Sequence, residues 1–124
     1  MSEELLTIRL RSLTCFQNDE EKFDDIFIIY NGNKIWPVDK KHEDVPVGSY
    51  KLGIDIPDVK ANSEMVLEIW DHDKLTPNDL LGKMHMIPDQ PGGPYTVDMK
   101  PTHDSDTARY MIEWQILWQD QVDD

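Results

Sequence analysis

Apolar residues in this chain recur at every second position, in short runs, and almost never at helical spacing. From Leu5 to Leu13, the side chains of Leu6, Ile8 and Leu10 fall on one side and Thr7, Arg9 and Arg11 on the other. That is the period of a half-buried strand. Ile26-Phe27-Ile28-Ile29-Tyr30 is β-branched and aromatic throughout, which suits a strand covered on both faces. Asn31-Gly32 then gives a hairpin turn, and Lys34-Ile35-Trp36 returns from it. Pro37 to Pro46 is charged and irregular. Tyr50, Leu52, Ile54 and Ile56 alternate with Lys51, Gly53 and Asp55, and Pro57 is expected to close that strand. Met65 to Trp70 and Leu81 to Ile87 make a further pair, and Tyr95 to Met99 is a short strand after Gly92-Gly93. A long last strand places Tyr110, Ile112, Trp114, Ile116 and Trp118 on one aromatic-rich face. About eight short strands, separated by Gly, Pro, Asn and Asp and without a helix, predict an all-β fold, an eight-stranded antiparallel β-sandwich.

The totals narrow the picture. The chain's 124 residues suit one domain, placed at residues 1–119 with an acidic tail at 120–124, and are enough to build a core without disulfides. Cys15 is the one cysteine, so it has no internal partner and reads as a small buried hydrophobe. A formal charge of −13 argues against nucleic acid and against a simple electrostatic grip on anionic lipid. No apolar run approaches the roughly 20 residues that cross a bilayer. Met1-Ser2-Glu3-Glu4 is acidic where a signal peptide is basic. The expected location is the cytoplasm, or outside it by a route without a visible signal peptide.

Chemistry concentrates in Asp71-His72-Asp73-Lys74-Leu75-Thr76-Pro77-Asn78-Asp79, between two strands. Carboxylates gathered in one loop suit a hard cation such as Ca2+, since without one they repel. An EF-hand is excluded, because its ligand, glycine and glutamate positions five, six and twelve hold Leu75, Thr76 and Gly82. The flanks are also strands where an EF-hand needs helices. The histidines at 42, 72, 85 and 103 show no zinc spacing. No phosphate loop is present, and nothing orients Cys15 as a nucleophile. The carboxylates lie on loop tips, outside any apolar cleft that would raise a pKa. The chain is therefore expected to have no catalytic residues and no small-molecule substrate.

A second acidic loop, Asp19-Glu20-Glu21-Lys22-Phe23-Asp24-Asp25, runs into Ile26-Phe27-Ile28. Asp19 and Asp25 are six apart, and Asp71, Asp73 and Asp79 stand at offsets of zero, two and eight, followed by Leu80-Leu81-Gly82. These two loops resemble the calcium-binding loops of the C2 domain, a calcium- and phospholipid-binding β-sandwich. Ile26 departs from the proline of the family's strand start. The resemblance implies Ca2+ held by Asp19, Asp25, Asp71, Asp73 and Asp79, with Glu20 and Asp24 as auxiliary oxygens. It also implies that Phe23 and Leu75 are the apolar contacts to a membrane or partner. The strand before the first acidic loop is the first of the chain, so the strand that precedes it in one family topology must come last, as Tyr110 to Trp118. That is the type II order. Asn31-Gly32 and Trp36 are closer to bacterial relatives of the family than to eukaryotic lipid sensors. Glu20-Glu21 at a loop tip and the lack of a basic strand favour a protein partner over an anionic membrane. Two functions stay open: a calcium-responsive docking module, and a calcium-independent structural or assembly component that uses the sandwich as an interaction surface.

Overall fold

The inward positions of these alternating runs meet between two sheets. The computed structural model describes residues 5–18, 24–72, 78–99 and 108–122. Among them are nine strands: β1 (Leu5–Gln17), β2 (Asp24–Tyr30), β3 (Asn33–Trp36), β4 (Glu43–Val45), β5 (Gly48–Lys60), β6 (Met65–Asp71), β7 (Asp79–Met86), β8 (Gly92–Met99) and β9 (Arg109–Trp118). A single 3₁₀ turn, Gln119–Gln121, follows β9. One sheet has the order β5-β1-β9-β8, the other β3-β2-β6-β7, with β4 also paired to β2. All pairings are antiparallel. β1 and β9 run together from Leu6 opposite Trp118 to Gln17 opposite Arg109. The first and last strands are thus neighbours in the middle of one sheet, the type II order.

Leu6, Ile8, Leu10 and Leu13 of β1 meet Ile26 and Ile28 of β2, Leu67 and Ile69 of β6 and Ile112 of β9, all fully buried. An extra residue in β1 between Leu10 and Ser12, relative to β9, puts Arg11 and Ser12 outside and returns Leu13 to the core. Such a bulge resets the alternation without breaking the sheet. Gly82 is needed where β7 approaches β8. A Cβ there would lie 2.7 Å from Met99 Cβ and 2.9 Å from its carbonyl oxygen, closer than atoms pack.

Two elements differ from the expectation. β5 continues through Pro57 to Lys60, because it is an edge strand and proline's missing N–H takes nothing from the ladder. The stretch from Pro37 to Pro46 contains β4, three residues long. Periodicity is hard to see over three residues, and its pairing partner is distant in sequence. β3 and β4 share one edge of β2, β3 against Ile28 to Tyr30 and β4 against Asp24 to Ile26. This places β4 beside the acidic start of β2.

Candidate metal centre

β2 decides how the first acidic loop presents its carboxylates. Along it Asp24, Ile26 and Ile28 are buried, while Asp25, Phe27 and Ile29 are half-exposed on the outer face. Two consecutive aspartates must therefore face opposite ways. Asp24 is 0% exposed. Its Oδ2 accepts the Tyr110 hydroxyl at 2.5 Å and the Asn18 amide at 3.3 Å. The same amide donates to Val45 O at 2.6 Å. Burial, and then the Asp24 carboxylate beside it, pushes the Tyr110 phenol far above its ordinary range. Burial also pushes the Cys15 thiol up. Asp24 thus locks the β1, β2 and β9 ends together at the acidic end of the sandwich, and its carboxylate is turned inward. The auxiliary metal role expected for Asp24 has to be weighed against this internal use.

Asp71, at the end of β6, is 1% exposed. Its Oδ1 accepts the Asp25 backbone N–H at 2.8 Å, and the His72 N–H donates to Asp25 O at 2.7 Å. Directly across the β6–β7 ladder lies Asp79, exposed, with its side chain on the same face as that of Asp71, as for any directly opposed pair. Asp25, Asp71 and Asp79 are thereby collected at one end of the sandwich from two loops distant in sequence. Asp19, Glu20, Phe23, Asp73 and Leu75 lie outside the described residues.

The Asp25 carboxylate takes the outer face, where the sequence offered no partner. β4 sets Asp44 opposite Asp25. Asp25, His42 and Asp44 place ligand atoms within 4.8 Å of one another. His42 Nδ1 is 3.5 Å from Asp25 Oδ1, and the His42 and His72 rings stack at 4.8 Å, 15° apart. His42 and Asp44 were not among the residues the loop motifs suggest. The available signal was the pair of potential ligands His42 and Asp44 two residues apart, which gains meaning only once Glu43–Val45 is known to be a strand paired with Asp24 to Ile26. Phe16 and Val47, 57% and 63% exposed, were missed as well. They lie just beyond the Cys15–Gly48 pair of the β1–β5 ladder, at this same end of the molecule.

No protein-family model matches the chain, and a search of curated proteins gives no match. Solved structures do match. A C2 domain of plant extended synaptotagmin 1 superposes with a TM-score of 0.57 over 96% of this chain and 96% of that one, at 11% identity. The fold is that of a C2 domain. Human GIVD cytosolic phospholipase A2 matches at a TM-score of 0.54 and 13% identity, over 94% of this chain and 17% of its own. The Asp25 to Asp71 hydrogen bond holds the start of β2 beside the end of β6. The donors Asp71 and Asp79 are all oxygen, which fits a hard cation such as Ca2+. Asp25 is the exception in its surroundings, since an imidazole shares its face. Among the described residues, no helix is long and apolar enough to cross a membrane.

Proposed function

We propose that this C2 fold is a calcium-binding docking module, without catalysis, that engages a protein partner through its acidic end. The observation that carries the reading is the convergence of Asp71 and Asp79 on one face, with Asp71 also gripping the Asp25 backbone from the other loop. Asp19, Asp25 and Asp73 complete the proposed ligand set. Calcium would relieve the repulsion among these carboxylates and cross-link the two loops.

Electrostatics support a protein partner over an anionic membrane. Two calcium ions would move the formal charge from −13 only to about −9. On the outer faces Arg9 is paired with Asp55, Arg11 with Glu113 and Lys40 with Glu43, which leaves these cations little net attraction for lipid headgroups. Phe16 and Val47 give the same end an exposed apolar contact, joined in this reading by Phe23 and Leu75.

Thermal melts in chelator and in millimolar calcium test the metal. A ligand at a hundredfold excess over its Kd stabilises by about 2.7 kcal/mol, a rise of roughly 8–16 °C for a domain of this size. Magnesium, which holds its waters, is expected to give much less. Asp79→Asn removes an exposed carboxylate and is expected to abolish most of the shift, as is Asp73→Asn, whereas Asp104→Asn keeps it. No calcium shift in the parent would leave the calcium-independent assembly reading. Vesicles of phosphatidylserine are expected to pellet little of the protein at physiological salt, with or without calcium. Strong calcium-dependent pelleting would assign the membrane as partner.

A further inference from the structure

We infer that Asp25, His42 and Asp44 form a second metal site, for a borderline divalent ion of the zinc class, on the outer face of the five-stranded sheet. It does not rest on the calcium reading: Asp25 is common to both ligand sets, but His42 and Asp44 belong to no calcium set, and it is these two that define the site.

The site is assembled by register. Three adjacent strands carry Asp44 in β4, Asp25 in β2 and, just past β6, His72, whose backbone N–H bonds Asp25 O. His42 immediately precedes β4, and its ligand atom lies within 4.8 Å of those of Asp25 and Asp44. The His42 ring is fixed from its other side by the stacked His72 ring. The decisive atom is His42 Nδ1, which is buried from solvent and has no hydrogen-bond partner. A buried imidazole nitrogen left in this state is costly.

Its separation from Asp25 Oδ1, 3.5 Å, is too long for an imidazolium–carboxylate hydrogen bond, which closes to about 2.7–2.9 Å. It is the separation of two ligands on one ion. Metal–nitrogen and metal–oxygen bonds of about 2.0–2.2 Å in a tetrahedron set neighbouring ligand atoms roughly 3.4 Å apart. The Asp44 oxygen lies within 4.8 Å of both, and its exposed side chain is free to close the remaining distance. Imidazole with two carboxylates suits first-row ions such as Zn2+ or Co2+, whereas calcium takes oxygen. Such an ion would bind the three-residue β4 to β2 and fix the edge next to the acidic loops, with solvent in its fourth position.

The test uses the full chain, stripped of metal, titrated with Co2+ and followed by visible absorption. One equivalent is expected to give the bands of a low-coordinate N/O site, which Zn2+ then bleaches. His42→Ala and Asp44→Asn are expected to weaken binding by about a hundredfold or more, at or beyond the 10–100-fold that loss of an outer-shell partner costs. Asp89→Asn leaves it unchanged. His42→Ala is expected to keep the calcium-dependent melting shift, so the two sites fail separately. Imidazole NMR signals of the unmutated protein give a readout independent of variant folding. Zn2+ should move those of His42 and its stacked neighbour His72 while that of His85, in β7, stays in place. Absence of binding, binding that survives His42→Ala, or shifts that begin at His85 would overturn the site and leave an imidazole–carboxylate contact only.

Discussion

Removing one oxygen atom, in Tyr110→Phe, tests how the acidic end is held together. The phenol ring packs in the core and stays, so no cavity opens. What is lost is chiefly the 2.5 Å hydrogen bond to Asp24 Oδ2, between a residue 2% exposed and one 0% exposed, together with the weaker bond that the same hydroxyl accepts from the Asn18 amide at 3.4 Å. Hydrogen bonds to charged groups are worth about 1.5–3 kcal/mol. Water cannot easily replace the donor at such a depth, so the upper half of that range applies. For a chain of this length each kcal/mol is worth roughly 3–6 °C in melting temperature, which gives an expected fall of about 7–18 °C. Urea melts should show the midpoint moving with the slope unchanged, because the same surface is exposed on unfolding. The loss should also be the same in chelator and in calcium if Asp24 serves the fold. A fall of under about 2 °C would show that Asn18 and the surroundings satisfy Asp24 without Tyr110. A loss seen only in calcium would return Asp24 to the metal.

Gly82→Ala should destabilise by about 1–3 kcal/mol, as overpacking does, because the new methyl meets the Met99 backbone; differential scanning calorimetry checks it. Stability should also fall on the alkaline side. Cys15 and Tyr110 both have raised pKa values in the fold, so the folded state holds their protons after the unfolded chain has released them. Their contribution is complete below the ordinary values of 9.0 and 10.0 and declines as pH rises through them. Urea midpoints from pH 7 to 11 should show the decline, and Tyr110→Phe should flatten its upper part. A midpoint flat to pH 11 in the parent would contradict the burial of both groups.

The sandwich was legible because its long strands bury one face each. β1 and β9 alternate over ten residues or more, and no other local structure buries Leu6, Ile8 and Leu10 together while exposing Arg9. Of the acidic residues picked out by spacing, Asp71 and Asp79 stand opposite one another in the β6–β7 ladder, because a chain that leaves and re-enters one sheet pairs its two loop ends. What spacing could not reveal was direction. Asp24 and Asp25 are chemically identical, and only the phase of β2 turns one into the core and the other toward His42. β4 was hidden for a related reason. Three residues hold no period, and Glu43–Val45 is a strand because β2 offers an edge to it. Pro57 misled in the opposite sense. Its effect depends on whether the strand has a neighbour on that side, which a local reading of the chain does not contain.

The central pairing of β1 with β9 has a mechanical consequence. Because the two strands are antiparallel with Leu6 opposite Trp118, the start of one and the finish of the other emerge at the same end of the molecule. Tension applied through those two ends acts across the ladder, perpendicular to the strands, and meets its hydrogen bonds one or two at a time. The sheet would open like a zipper, beginning at Leu6 and Trp118 and reaching Gln17 and Arg109 last. The acidic end, tied by Asp24 and Tyr110, lies at the far end of that zipper and is the last part to feel the load.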